Sequence, residues 1–278
     1  MPSLYVVGTP IGNLEDTSLR AIRVLKEVSL IASEDTRTTR HLLAHFDIRT
    51  PLTSYYEHNK TAKLDHLLQA LKIGDVALVS EAGMPGISDP GYELIVAAQC
   101  SGVSVIPVPG PSAAVTALAV SGLPTDRFHY LGFLPRRSSA RRRYLKDVAS
   151  ETATLIAYEA PHRLNEALHD IMFALGNRRV AVCRELTKIH EEVFRGTVEE
   201  ALAYFTIPRG EFTLVVAGAE TESKGLMART ELVAAIKELK RAGQRAQDAL
   251  AELADISGLS RKELYGLWLK TKVKQDTK

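Results

Sequence analysis

Short apolar runs that each stop at a turn rich in glycine and proline, with amphipathic helices between them, most limit the folds open to this chain. Leu4–Val7 runs into Gly8, Val76–Ser80 into a long Gly/Pro loop, and Val103–Val108 into Pro109-Gly110-Pro111. Leu30–Ala32 is a further short strand. A helix carrying Leu19, Ile22 and Leu25 is expected after a cap at Asp16 or Thr17. Another carries Leu64, Leu67, Leu68 and Leu71 at helical spacing and stops at Gly74. Pro90-Gly91 opens a third through Leu94, Ile95 and Ala98. Such alternation predicts an open parallel α/β sheet. Ligands of such sheets bind beyond the carboxyl ends of the strands, where this sequence gathers its glycines and prolines, at 8–12, 80–91 and 107–112.

A second α/β unit is expected after Leu123-Pro124-Thr125-Asp126. Its strands are Tyr130–Leu134, Thr154–Tyr158, Arg179–Arg184 and Phe212–Ala217, and its helix carries Leu164, Leu168, Ile171 and Leu175. From about Thr221 the texture turns to Ala, Leu, Lys and Glu. Thr230–Arg241, Ala246–Asp255 and Ser260–Lys272 read as three short helices, either a helix-turn-helix-like module or a plain helical cap. The expected division is 1–120, 121–220 and 221–278.

Over 278 residues the net charge is only +2, so bulk charge does not announce a nucleic-acid binder. Its distribution says more. Arg136, Arg137, Arg141, Arg142, Arg143 and Lys146 precede the first acid, Asp147, and the tail carries Lys270, Lys272, Lys274 and Lys278 against Asp276. Each run is either a solvated helix face or a phosphate-attracting patch. Two distant cysteines, Cys100 and Cys183, suggest neither a zinc site nor a disulfide and fit a cytoplasmic location. The start lacks a basic segment followed by a long apolar core, and no apolar stretch is long enough to span a membrane. Glycine fingerprints for dinucleotides and ATP, the H-E-x-x-H metalloprotease pattern and the G-x-S-x-G elbow are all missing. No metal is expected.

Three loops carry the candidate chemistry. Gly8-Thr9-Pro10-Ile11-Gly12-Asn13-Leu14 is a tight turn in which glycine lets a ligand near the backbone. Ser80–Gly91 is a long irregular segment holding Ser88 and Asp89, and long ordered loops are usually functional. Asp89, taken singly, reads as a helix cap. In Val108-Pro109-Gly110-Pro111-Ser112-Ala113, Ser112 is a ready cap for the small-residue helix that follows.

G-T-P-I-G-N-L, S-E-A-G-M-P-G-I-S-D-P-G and V-P-G-P-S-A, in this order and at these separations, resemble the tetrapyrrole-methylase superfamily of S-adenosylmethionine enzymes. Y-E-A-P-H-R-L, R-E-L-T-K-I-H-E-E and G-E-F-T-L-V narrow the resemblance to its bacterial ribosomal RNA branch, over nearly the whole chain. Where corrin and porphyrin enzymes carry G-G-D-P, Glu81-Ala82-Gly83-Met84 stands here. The resemblance implies two α/β domains around an S-adenosylmethionine cleft, a homodimer, and 2′-O-methylation of a cytidine in 16S ribosomal RNA or the small ribosomal subunit. It further implies that Pro10 faces the sulfonium. The Glu81, Ala82, Gly83 and Met84 backbone with Ile87 and Ser88 would hold the homocysteine end. Ser112, Ala113, Tyr158, Glu159, Ala160, Gly210, Glu211 and Phe212 would frame ribose and adenine.

A ribose hydroxyl is a weak nucleophile, so a base or cation should help remove its proton. Lys188 and Glu185, just past the strand Arg179–Arg184, are the candidates, with Glu81 and the Glu34–Arg37 segment nearby. Arg37 and Arg163 are expected to grip phosphate, Arg141, Arg142 and Arg143 to contact RNA, and Tyr265 and Trp268 either to stack bases or to sit in a core. The alternatives are methylation of a corrin or porphyrin precursor, methylation of a protein side chain, or a non-catalytic RNA-binding assembly factor.

Overall fold

The computed structural model describes residues 2–220, 229–242, 244–257, 259 and 261–271. The chain divides into two compact units, Met1–Gly218 and Ala219–Lys278.

The first unit opens with a five-stranded sheet. Its strands are β1 (Ser3–Val7), β2 (Leu30–Ser33), β3 (Leu52–Ser54), β4 (Val76–Val79) and β5 (Ser104–Val108), in the order β3-β2-β4-β1-β5. Every neighbouring pair is parallel. The near-continuous burial of β1 and β4 follows from helices covering both faces. On one face α1 (Leu19–Glu27) and α2 (Thr36–His45) contribute Ala21, Val24, Leu25, Leu42 and Leu43 to the core. On the other, α3 (Lys60–Ile73) and α4 (Tyr92–Cys100) contribute Leu67, Leu71, Leu94 and Ala98.

Two expected caps fall elsewhere. Ser18, not Asp16 or Thr17, caps α1, its side chain accepting from the Ala21 amide at 3.0 Å. Gly91 occupies the cap position of α4 with no side-chain cap bond, which leaves the Asp89 carboxyl without that duty. Ser112 precedes α5 (Ala113–Ser121) as expected, but its side chain makes no cap bond. Strand β3 and helix α2 are additions to the sequence reading.

The second sheet contains β6 (Phe128–Phe133), β7 (Thr154–Glu159), β8 (Arg179–Arg184), β9 (Glu192–Thr197) and β10 (Phe212–Val216), ordered β6-β7-β10-β8-β9. Only β6 and β7 are parallel; the other pairs are antiparallel. Helix α5 follows the first sheet yet packs on β7, β8 and β10 of the second, through Ala114, Ala117 and Leu118. Its small side chains permit the close approach. The opposite face is covered by α6 (Ser138–Asp147), α7 (Leu164–Leu175) and α8 (Val198–Tyr204). The basic run is therefore the helix α6. Strand β9 and helix α8 escaped the sequence reading; α8 starts with a complete capping box, Thr197 with Glu200.

The second unit holds α9 (Arg229–Arg241), α10 (Ala246–Ser257) and α11 (Arg261–Lys270) around Leu232, Ile236, Leu250, Leu253 and Leu264. Trp268 packs against this core, and Lys240 Nζ lies 5.0 Å from its ring centroid, whereas Tyr265 is exposed. Gly258 and Ser260 of the expected turn, and the basic tail from Lys272 onward, lie outside the described residues. Among the described residues no helix is long and apolar enough to cross a membrane.

Candidate active site

Strand order explains why the three Gly/Pro loops meet. β4, β1 and β5 are neighbours and all parallel, so the loops following them leave one rim of the sheet side by side. β2, next to β4, sends Glu34 and Asp35 to the same rim. The loops are stitched together by backbone. Gly8 N–H donates to Val108 O at 3.0 Å, and Thr9 and Gly83 exchange bonds at 2.9 and 3.1 Å. Gly8 and Gly110 touch backbone to backbone: a Cβ on either would stand 2.7 Å from the other's Cα. Pro10 and Met84 are half-buried, while Ile87 is exposed.

The second sheet presents its own rim. The register aligns Phe212 with Glu159 on one side and Arg184 on the other, and Phe133 ends the neighbouring β6. This edge therefore collects Tyr158, Glu159, Ala160, Glu185, Gly210 and Glu211. Lys188 Nζ is ion-paired to Glu185 at 3.0 Å and Glu211 at 2.8 Å, and the Glu211 amide donates to Glu185 Oε1 at 2.8 Å. Glu185 and Thr187 both hold left-handed backbone, at φ 49° and 68°. Such strain persists only where surroundings enforce it, commonly at functional sites.

The two rims meet. A Cβ on Gly12 would overlap the Lys188 side chain, which sets the first loop directly against the charged cluster. Ser88, itself at φ 64°, has its hydroxyl 2.6 Å from that of Tyr130. The Ala114 amide donates to the Tyr158 hydroxyl at 3.2 Å. The Tyr130 and Phe133 rings stand edge-on to Tyr158, each at 5.4 Å between centroids.

Electrostatics divide this region. Burial raises the Glu34 carboxyl, with repulsion from Glu81 and Asp35 adding to it and the Glu81 amide opposing it. Burial, reinforced by Glu34 and Glu81 and opposed by Ser80, pushes Asp89 up to about 7. Around Lys188 the balance reverses. Burial opposes the ammonium, but hydrogen bonds to Glu211 and Glu185 outweigh it and raise the pKa. Burial likewise opposes the Glu185 charge, yet the Glu211 amide and Lys188 hold that carboxyl below its ordinary value. Lys188 thus stays an ammonium, and Glu185 is a weak, already engaged acceptor. Asp89, which spacing alone suggested as a cap, titrates where a base for neutral pH should.

The arginines separate as well. Arg37 is 85% exposed and paired with Asp35 at 2.9 Å. Arg163 is only 14% exposed; it is held by the buried Glu159 at 2.5 Å and donates to Leu134 O. The expectation that Arg163 grips phosphate is corrected, because its guanidinium serves the buried acid. Arg141 is corrected too. It is 0% exposed, donates to Asp170 at 2.7 Å and turns its other nitrogens to Pro135 O, Arg136 O and Glu166. No face of it reaches solvent. Arg142 is partly exposed and Arg143 exposed.

The residues present suit a donor that joins a cation to a nucleoside. Three carboxyls, Glu34, Glu81 and Asp89, stand close enough to repel one another, and a cation relieves that. Buried Thr187 Oγ1 has no partner in the protein and lies against Gly12, where the two rims meet. Among the described residues no group of three His, Cys, Asp or Glu is placed to hold a metal.

Comparison with known proteins agrees with this layout. The family model for tetrapyrrole (corrin/porphyrin) methylases matches residues 3–202. Ribosomal RNA small subunit methyltransferase I of Halalkalibacterium halodurans is 48% identical, covering 96% of this chain and 94% of that protein. The protein of the same name from a Synechocystis strain is 47% identical, covering 97% and 98%. The crystal structure of uroporphyrin-III C-methyltransferase from Thermus thermophilus complexed with S-adenosyl homocysteine superposes with a TM-score of 0.55 at 20% identity, covering 77% of this chain and 97% of that one. Loops, rims and sequence likeness together make this chain a member of the tetrapyrrole methylase family, within its ribosomal RNA small subunit methyltransferase I group.

Proposed function

We propose that this enzyme transfers a methyl group from S-adenosylmethionine to the ribose 2′-hydroxyl of a cytidine in 16S ribosomal RNA. The observation that carries the reading is the junction of Gly12 with Lys188, where the Gly/Pro loops of one sheet abut the charged rim of the other. The names of the relatives point to small-subunit ribosomal RNA as substrate.

When bound, the donor supplies an electrophilic methyl group on a cationic sulfur. The protein's task is alignment, a dry surround and proton management. Pro10, the backbone of Glu81, Ala82, Gly83 and Met84, and Ile87 with Ser88 hold the amino-acid end and sulfonium. Ser112, Ala113, Tyr158, Glu159, Ala160, Gly210, Glu211 and Phe212 hold the nucleoside. Three groups at the rims are offered for the hydroxyl proton: Asp89, which burial with repulsion from Glu34 and Glu81 pushes up to about 7, and Lys188 with Glu185 at the Gly12 junction. Lys188, anchored by Glu185 and Glu211, keeps a positive charge at the rim, where it steadies a developing alkoxide. Arg37 and Arg143, exposed to solvent, take phosphates.

The sheets at 1–120 and 121–220 serve as the two catalytic halves and 221–278 as an accessory module. The family resemblance carries two further expectations, a homodimer and a cytoplasmic location. Mass mapping of 16S ribosomal RNA from cells lacking the protein tests the central reading. A missing ribose methyl, restored by the wild-type enzyme, is expected; an unchanged methylation pattern overturns it.

A further inference from the structure

The basic helix α6 does not act as one surface. Asp170 on α7 is 2% exposed and accepts from Arg141 at 2.7 Å, Arg142 at 2.5 Å and Ser138 at 3.0 Å. Burial opposes its charge, but hydrogen bonds from Arg142, Ser138 and Arg141 prevail and keep it ionised. This anchor sets the Arg142 guanidinium 4.5 Å from the centroid of the Phe173 ring, and Lys146 Nζ stands 5.1 Å from the same ring. Phe173 is 58% exposed, on a helix whose other face is core. Ser138, Ser139, Arg142, Arg143, Lys146, Asp147 and Phe173 line a surface hollow of about 610 Å³. Three cations there face Asp147 in the lining and Asp170, which pairs with Arg142.

We propose that this hollow is an RNA-docking surface distinct from the methyl-transfer site, with Phe173 stacking against a base of the substrate and Arg142, Arg143 and Lys146 taking the flanking phosphates. The proposal rests on the reading that the substrate is RNA. Phe173 lies nine residues beyond the start of α7, which begins just past the rim residue Glu159. That is about 14 Å along the helix, so the hollow engages RNA away from the reacting ribose. Stacking accepts any base and phosphate contacts carry no sequence information. The hollow therefore supplies affinity and register, not the choice of nucleotide. Arg142 shares its charge with Asp170, so Arg143 and Lys146 provide most of the salt-dependent attraction.

The test uses the full-length enzyme and small ribosomal subunits purified from cells lacking it. Wild-type transfer of a labelled methyl group to these subunits is measured first; its absence overturns the functional reading and this one with it. Phe173→Ala should then raise KM for subunits roughly tenfold, with kcat and calorimetric affinity for S-adenosylmethionine unchanged. Phe173→Trp should retain wild-type KM, and Phe173→Leu should resemble the alanine variant. The double change Arg143→Ala and Lys146→Ala should flatten the logarithmic salt dependence of subunit binding by roughly one to two. If transfer proceeds but Phe173→Ala matches wild type in KM, or leucine serves as well as tryptophan, the docking surface is refuted while the methyltransferase reading stands.

Discussion

The two five-stranded sheets of the first unit contribute to the site in opposite ways. The first is wholly parallel, and its rim joins glycine and proline turns through backbone, with the carboxyls of Glu34, Glu81 and Asp89 beside them. The second is mostly antiparallel, and its rim is made of charged side chains: Lys188 with Glu185 and Glu211, Glu159 with Arg163. Where Gly8 meets Gly110, no atom can be added without a shift, because the partner across the contact is itself main chain. Side-chain rims tolerate substitution in shape but not in charge. The first half sets its loops by backbone fit, and the second fixes its rim by ion pairs.

This contrast can be broken most forcefully at Gly110. Alanine there places Cβ 2.7 Å from Gly8 Cα, with the Gly8 carbonyl also in the way. Calorimetry should record at least a hundredfold weaker donor binding; near-wild-type affinity would show that the loops yield and that the first rim is not rigid.

Asp89→Asn comes next. Removing a base typically lowers turnover ~10²–10⁴-fold, with donor affinity retained. Wild-type activity should climb as pH rises through about 7, where Asp89 loses its proton. Stability moves the other way. A carboxyl whose folded pKa lies above its ordinary 3.8 favours the protonated native state, so its ionisation costs stability as pH rises from about 4 and costs it fully above 7. Asp89→Asn should accordingly raise Tm near pH 8 and leave it nearly unchanged near pH 4. A Tm difference independent of pH would remove the titration from the account.

Lys188→Met tests the charged rim, with Glu185→Gln beside it. Each should lower turnover roughly a hundredfold, in the range of losing one group that stabilises developing charge, while calorimetric donor affinity holds. Equal loss of donor binding would place the pair in the donor's seat instead and dissolve the division between the sheets.

A smaller effect separates Arg141 from its neighbours. Arg141→Met leaves the Asp170 charge buried and should cost about 3 kcal/mol in chemical denaturation, with the salt dependence of subunit binding unchanged. Combining it with Asp170→Leu should recover much of that loss. A change in salt slope would return Arg141 to the RNA surface. Arg37→Ala, at an exposed pair, should shift KM for subunits by no more than about fivefold, in keeping with the ~1 kcal/mol ceiling of surface pairs.

Much of this was legible in the residues. Among the described residues, period and punctuation located eight of the ten strands and the three loops, since a parallel strand between helices is an apolar run that must end in a turn. Strand β3 escaped because it is three residues long, and β9, Glu192–Thr197, because it is only half-buried and has no clean alternation. Site residues carried by the motifs converge on the two rims. Those chosen by charge fared less evenly, because charge in a sequence does not say which way a side chain points. Arg141 and Arg163 look like their neighbours in the chain, and burial gave them different work.

The sequence by itself determined where the chain turns and where its backbone must come close, because glycine, proline and hydrophobic period act over a few residues. Only the tertiary structure decided which charges are buried, which are paired and which of them titrate near neutrality. Those properties arise from solvent exclusion and from partners up to dozens of residues away, as with Glu34 raising Asp89 and Asp170 claiming Arg141.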